Sequence, residues 1–218
     1  MNFSMIRYVI GLVMLFESAF LSLPCLIALI YHEKKGFSFW IMLFVCLIIG
    51  ILLVMKKPKK TVYYAKEGFL TVAISWIVMS FFGALPFVIN GDIPSVVDAM
   101  FETVSGFTTT GSSILTDVEA LARCSLFWRS FTHWVGGMGV LVFLMAVVPL
   151  SGKNDGFTLH ILRAESPGPS VGKLVPRMKK TASILYLIYI GLSILNLAFL
   201  LIGKMPLFDA ICTTFGTA

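Results

Sequence analysis

Charge is what this chain has least of. Only 13% of its 218 residues are charged, where soluble domains carry about 25%. Hydrophobic residues make up 58%, and the mean hydropathy is +0.93. That shortage excludes an ordinary soluble globular domain and points to an integral membrane protein. Cysteine is also sparse. Cys25, Cys46, Cys124 and Cys212 show no CxxC or other metal-ligand spacing, which argues against a metal site or a disulfide framework. Two of the four lie inside apolar runs and read as small packing residues. Clustered His, Asp or Glu at membrane depth is missing as well: Glu17 and His133 come nearest, on different helices with no motif between them. A polytopic membrane enzyme is therefore disfavoured.

Long apolar runs are what the chain has instead. Five could cross a bilayer, which takes roughly 20 residues at about 1.5 Å rise each: approximately Tyr8–Ile30, Phe37–Met55, Phe69–Ile89, Leu126–Leu150 and Ala182–Ile202. The first is too long for a signal peptide and has no small-residue cleavage site after it, so it reads as a retained helix.

The net charge of +6 is explained by topology and gives no reason to expect nucleic acid. Arg7, the run Lys56, Lys57, Lys59, Lys60 and Lys66, and the set Lys153, Arg163, Lys173, Arg177, Lys179 and Lys180 put twelve of the 17 basic residues on one side. Lys34, Lys35, Arg123, Arg129 and Lys204 are left for the other side or its interface. The positive-inside rule then places residues 56–66, 151–180 and the N-terminus in the cytoplasm, with residues 31–36 and 90–125 outside.

The segment 90–125 is not a simple polar loop. Asn90, Gly91 and Asp92 end the third span, and Pro94 suits a first helical turn. Val97, Met100, Phe101, Val104 and Phe107 follow at helical spacing. A helix over 94–107 would be about 21 Å long, too short for a hydrocarbon core of about 30 Å. It would dip in and stop part-way. The run "TTTGSS" then supplies an extended return path whose carbonyls can face a cation. Backbone at membrane depth is tolerated where it lines water or is buried in protein. Glycine permits the unusual backbone conformation, the helix C-terminus carries partial negative charge, and threonine hydroxyls add ligands or stiffen the strand. A Ser/Thr/Gly surface turn is the plainer alternative, and the flanking span–helix–run–span order weighs against it.

A fainter echo of "DAMFETVSGF" from Asp98 occurs as "DAICTTFGTA" from Asp209: Asp98, Ala99 and Thr103 match Asp209, Ala210 and Thr214 at identical spacing, with Pro94 and Pro206 upstream. This suggests a second helix–pore loop–helix unit. The counterpart of Gly111 would fall beyond Ala218, so the chain is expected to be the N-terminal part of a longer protein.

Three stretches, "FFGALPFVINGDIPSVVDAMFETVSGFTTTGSS", "WRSFTHWVGGMGVLVFLMAVVP" and "RAESPGPSVGKLVPRMKKTA", resemble the Trk-type potassium uptake proteins, the TrkH membrane subunits of the Trk/Ktr/HKT superfamily. The resemblance runs through nearly all of the chain and is most specific from Phe81 to Thr181. It implies an all-α, polytopic membrane protein of concatenated helix–pore loop–helix units, like potassium channels. Four such units would surround one potassium pathway, preceded by two extra helices. The resemblance divides this chain into an extra helix pair (1–60), a first unit (61–150), a cytoplasmic connector (151–180) and the start of a second unit (181–218). Five transmembrane helices, one complete re-entrant pore helix and one partial one are expected here, and one quarter of a pore would not conduct alone.

The family's first filter strand maps onto Thr108, Thr109, Thr110, Gly111 and Ser112, with K+ at Thr109, Thr110 and Gly111. Glycine at Gly111 matches potassium-transporting members, whereas sodium-favouring relatives carry serine there. Sodium or non-selective transport within the superfamily is the alternative, with a membrane enzyme or scaffold more remote. The resemblance further implies a multi-pass protein of the cell (inner) membrane that dimerises when full length. It implies a cytosolic nucleotide-binding regulatory subunit (TrkA-like), potassium as substrate and no bound cofactor.

Other residues carry separate expectations. Glu17, inside the first span, is read as packing or hydrogen-bonding to a neighbouring helix. His133 is assigned an interfacial hydrogen bond, and Trp128 with Arg129 an interfacial anchor pair. Gly136, Gly137 and Gly139 allow close helix contact, the pore helix being the obvious neighbour. Glu102 either adds negative potential near the outer mouth or caps a local network. "ESPGPSVGKLVPR" holds three prolines and two glycines, which rules out a continuous helix, and contains no GxxxxGK[ST] phosphate loop.

Overall fold

The computed structural model describes residues 2–58, 65–139 and 178–217, all helix, turn or irregular chain with no strand. Seven α-helices occur among them: α1 (Phe3–Ile30), α2 (Phe37–Val54), α3 (Ala65–Asn90), α4 (Val96–Phe107), α5 (Arg123–Met138), α6 (Met178–Ile202) and α7 (Leu207–Thr217). Four stretches among the described residues are long and apolar enough to span a membrane: Phe3–Ile30, Lys34–Val54, Glu67–Asn90 and Ser183–Ile202. The connector at 151–177 and the remainder of the basic loop at 59–64 lie outside the described residues.

Between helices surrounded by lipid tails there is little hydrophobic driving force, so close approach of backbones matters more. The α1–α2 pair is built that way. A Cβ on Gly11 would stand 2.7 Å from Leu53 Cβ, and one on Gly50 would stand 2.8 Å from Leu15 Cδ2. Ser18 Oγ adds a 2.9 Å hydrogen bond to the Leu43 carbonyl oxygen across the same seam. The outer surface of α2 keeps Phe44, Ile48 and Leu52 exposed, as a lipid-facing helix requires.

The fourth expected span, 126–150, lies only in part among the described residues. Its helix begins at Arg123 and ends at Met138, where Gly139 turns to φ 65° and ψ 100°. The helix is therefore not continuous through 126–150, and residues 140–150 lie outside the described residues. Three glycines within four positions weaken helix propagation here. Tyr186 of α6 donates its hydroxyl to the Met138 and Gly139 carbonyls at 2.7 and 3.0 Å, occupying acceptors that the helix end leaves free.

The α1–α2 hairpin is tied to the start of α5. Ala122, the residue at the N-cap of α5, provides no side-chain cap. Glu33, from the turn after α1, takes that role by accepting from Arg123 N at 2.9 Å and Cys124 N at 3.0 Å. Lys35 pairs with Asp92 at 2.5 Å, and the other Asp92 oxygen accepts from Ser125 Oγ. These bonds hold the 31–36 turn, the 91–95 turn and the start of α5 at one end of the bundle.

Candidate functional site

Helix α4 is 12 residues long and starts at Val96, not Pro94. Ser95 has extended backbone and accepts the Asp98 N–H on its side chain. This N-cap geometry displaces Pro94 from the first turn. At about 18 Å the helix is still shorter than a membrane core.

The hydroxyl run does not leave α4 as a uniformly extended strand. Thr108 and Thr109 wind into the helix-terminating turn, with Thr109 at φ 55°. Thr109 N donates to Gly106 O and Thr110 N to Ser105 O, both at 2.9 Å, the paired pattern of a Schellman ending with threonine where glycine is usual. Gly111 follows at φ 75°, a left-handed conformation that disfavours side chains. Apart from its two chain neighbours, none of the described residues comes within 4 Å of the Cβ it lacks. Its backbone conformation, not shortage of space, calls for glycine.

Ser105 holds both neighbours of Gly111. Its carbonyl accepts from Thr110 N, and its hydroxyl donates to Ser112 O at 2.5 Å. Ser112, one of the five expected filter residues, thus has its carbonyl already engaged by α4. The Thr108 hydroxyl donates to Val104 O at 2.7 Å and lies 2.8 Å from Thr110 Oγ1, so these two threonine side chains brace the turn. Residues 108–114 are all exposed on this chain.

Glu102 is buried and forms a local network. One oxygen accepts from Arg129 Nε at 2.5 Å, the other from Ile114 N at 3.1 Å, and Ser113 Oγ lies 3.0 and 3.1 Å from the two. Of its two sequence readings, the capped network is the one found: a carboxylate paired with Arg129 and removed from solvent contributes little free negative charge. The expected interfacial anchor pair is likewise absent. Trp128 is 1% exposed and donates Nε1–H to Gly83 O at 2.9 Å, while Arg129 turns inward to Glu102. Burial of the indole against Phe39 and Phe107 outweighs any preference for the membrane surface. His133 Nδ1 lies 3.0 Å from Arg129 O, a bond within its own helix and partly buried.

Gly136 does allow the close contact expected of it: a Cβ there would stand 2.3 Å from Phe107 O. Gly137 instead faces Tyr189 of α6, where an added Cβ would stand 2.6 Å from the tyrosine hydroxyl, and Gly139 ends the helix. Glu17 is fully buried and neither of its oxygens has a hydrogen-bond partner among the described residues. Of its two readings, packing or a hydrogen bond to a neighbouring helix, the described residues show the packing. The role of Glu33 was missed in sequence; the absence of a capping residue at Ala122 was the available signal.

The repeat has a structural counterpart. Ala99 and Ala210 are both fully buried, and Thr103 and Thr214 nearly so. Ala99 N bonds to Ser95 O and Ala210 N to Pro206 O, each at 2.9 Å. Helix α7 packs on α5 through Phe215, whose ring lies 5.4 Å from those of Phe131 and Trp134.

Long apolar helices, with a short helix ending in an exposed glycine–hydroxyl run, define a polytopic α-helical membrane protein. Residues 35–217 match the family model for TrkH, described as a cation transport protein, and the chain belongs to that family, one of transporters and not of enzymes. The Trk system potassium uptake protein TrkH of Salmonella typhimurium is 38% identical over 221 residues, covering 100% of this chain and 45% of that protein. The Trk system potassium uptake protein TrkG of Escherichia coli is 36% identical, over 89% of this chain and 40% of its own length. The crystal structure of the potassium transporter TrkH from Vibrio parahaemolyticus matches with a TM-score of 0.79 and 32% identity, over 99% of this chain and 42% of that one. The chain therefore spans less than half the length of these relatives.

Proposed function

We propose that this chain contributes the first filter strand of a potassium uptake system, as the N-terminal part of its pore-forming subunit. The observation carrying this reading is the backbone at the end of α4. Left-handed residues at Thr109 and Gly111 bracket Thr110, while Ser105 engages the chain on both sides of Gly111. The carbonyls of Thr109, Thr110 and Gly111 then replace part of the water around K+. Helix α4 enters the membrane from outside as a re-entrant pore helix and directs its negative C-terminal end at the ion. The names of the relatives, both Trk system potassium uptake proteins, favour potassium as the substrate.

In this reading residues 1–60 are two additional helices, 61–150 the first pore unit, 151–180 a cytoplasmic connector and 181–218 the beginning of a second unit. The N-terminus is cytoplasmic, and the protein sits in the inner membrane. The full-length protein works as a homodimer with a cytosolic nucleotide-binding regulatory subunit. The test is rubidium uptake by the full-length protein in a host lacking its own potassium uptake, with Gly111→Ser compared to wild type. Supporting results are uptake by wild type and weakened potassium-over-sodium discrimination in the variant. Unchanged uptake and discrimination in Gly111→Ser would sink the filter assignment.

A further inference from the structure

Glu102 and Ser105 lie three residues apart on α4, on one helical face, and both are buried. Between them they hold three consecutive residues after Gly111. Ser105 Oγ donates to Ser112 O, and Glu102 accepts from Ser113 Oγ and Ile114 N. Arg129 of α5 fixes Glu102 from behind. We infer that Glu102 and Ser105 are positioning residues for ion selection, setting the direction of the Thr110 and Gly111 carbonyls by pinning residues 112–114 to α4. This rests on the filter reading above.

Direct attraction of the ion by Glu102 does not fit the arrangement. Its side chain is 1% exposed and its charge is met by Arg129. A purely stabilising pair does not account for it either. Buried ion pairs are weak contributors to stability, because desolvation offsets the attraction. What this pair provides is a fixed acceptor for two donors on the far side of Gly111. A strand free to rotate there would present its carbonyls at varied distances, and potassium would lose its advantage over sodium.

The experiment uses the full-length protein in the uptake-deficient host. Glu102→Gln, Ser105→Ala, Glu102→Gln with Arg129→Gln, and Gly111→Ser are compared, with monodisperse yield in detergent as the measure of folding. Glu102→Gln keeps size and one acceptor but loses the charge that orients it. Folded Glu102→Gln is expected to raise the KM for rubidium about tenfold, the scale of one lost charge-assisted hydrogen bond. Sodium discrimination falls with it, while maximal uptake stays within about twofold. Ser105→Ala moves the same two quantities in the same direction. If the single Glu102 variant fails to fold, the double variant decides: altered selectivity supports positioning, and wild-type selectivity overturns it. Ser105→Ala removes one hydrogen bond and no charge, and it carries the test should both Glu102 variants fail to fold. Wild-type KM and sodium discrimination in the folded variants, alongside a Gly111→Ser that does shift selectivity, overturn the positioning role alone. A Gly111→Ser without effect brings down the filter reading instead.

Discussion

Gly136 of α5 lies directly against the last carbonyl of α4. A Cβ at Gly136 would stand 2.3 Å from Phe107 O and 3.0 Å from Gly106 O. Both atoms belong to backbone, which cannot rotate aside like a side chain. Gly136→Ala must therefore push α5 away from the end of α4. We expect a loss of about 1–3 kcal/mol in stability and reduced rubidium uptake in the full-length protein. A thermal midpoint and uptake equal to wild type would show that the two helices can separate at no cost.

Gly111 presents the opposite case, with open space but a left-handed backbone. Substitution should therefore follow backbone preference and not side-chain size. Asparagine tolerates φ near +60°, whereas β-branched valine does not. Gly111→Asn is expected to retain more rubidium uptake than Gly111→Val. Equal activity in the two, measured at matched membrane levels, would contradict a left-handed requirement.

Glu33 replaces the missing cap of α5 from a turn 90 residues earlier in the chain. Removing its carboxylate frees the Arg123 and Cys124 N–H groups. Glu33→Ala is expected to lower the stability of the full-length protein by about 1 kcal/mol. Glu33→Gln, which keeps one acceptor, should lose less. Denaturation midpoints of the two variants check the order, and a Gln variant weaker than Ala would refute the capping role.

Among the described residues, Glu17 is a buried acid without a hydrogen-bond partner. An unpartnered polar group in an apolar seam costs about 1–3 kcal/mol. Glu17→Met is close in volume and removes that cost, so the midpoint of thermal unfolding should rise. A fall in the midpoint would mean that the carboxyl makes a stabilising interaction in the assembled protein.

Composition and spacing along the sequence determined several features by themselves. Apolar runs near 20 residues located the four stretches that are long and apolar enough to span a membrane among the described residues, since length and hydropathy are properties of local sequence. The run 126–150, by contrast, gave no warning that its helix ends at Met138. Helical spacing from Val97 to Phe107 located the short helix. Gly111 marked one left-handed residue beyond α4, because glycine adopts that backbone freely, whereas the helix-ending left-handed residue is Thr109, which no local rule singles out. The echo at Asp209 anticipated α7. Tertiary structure decided the partnerships. Arg129 could serve as an interfacial anchor or meet a buried acid, and only the crossing of α5 over α4 brings it to Glu102. Trp128 had the composition of a membrane-surface residue but is enclosed by α2, α3 and α4. The cap of α5 comes from Glu33, which no local rule could select among the available carboxylates. Helix periodicity depends on neighbours three or four residues away; these contacts depend on how whole helices pack.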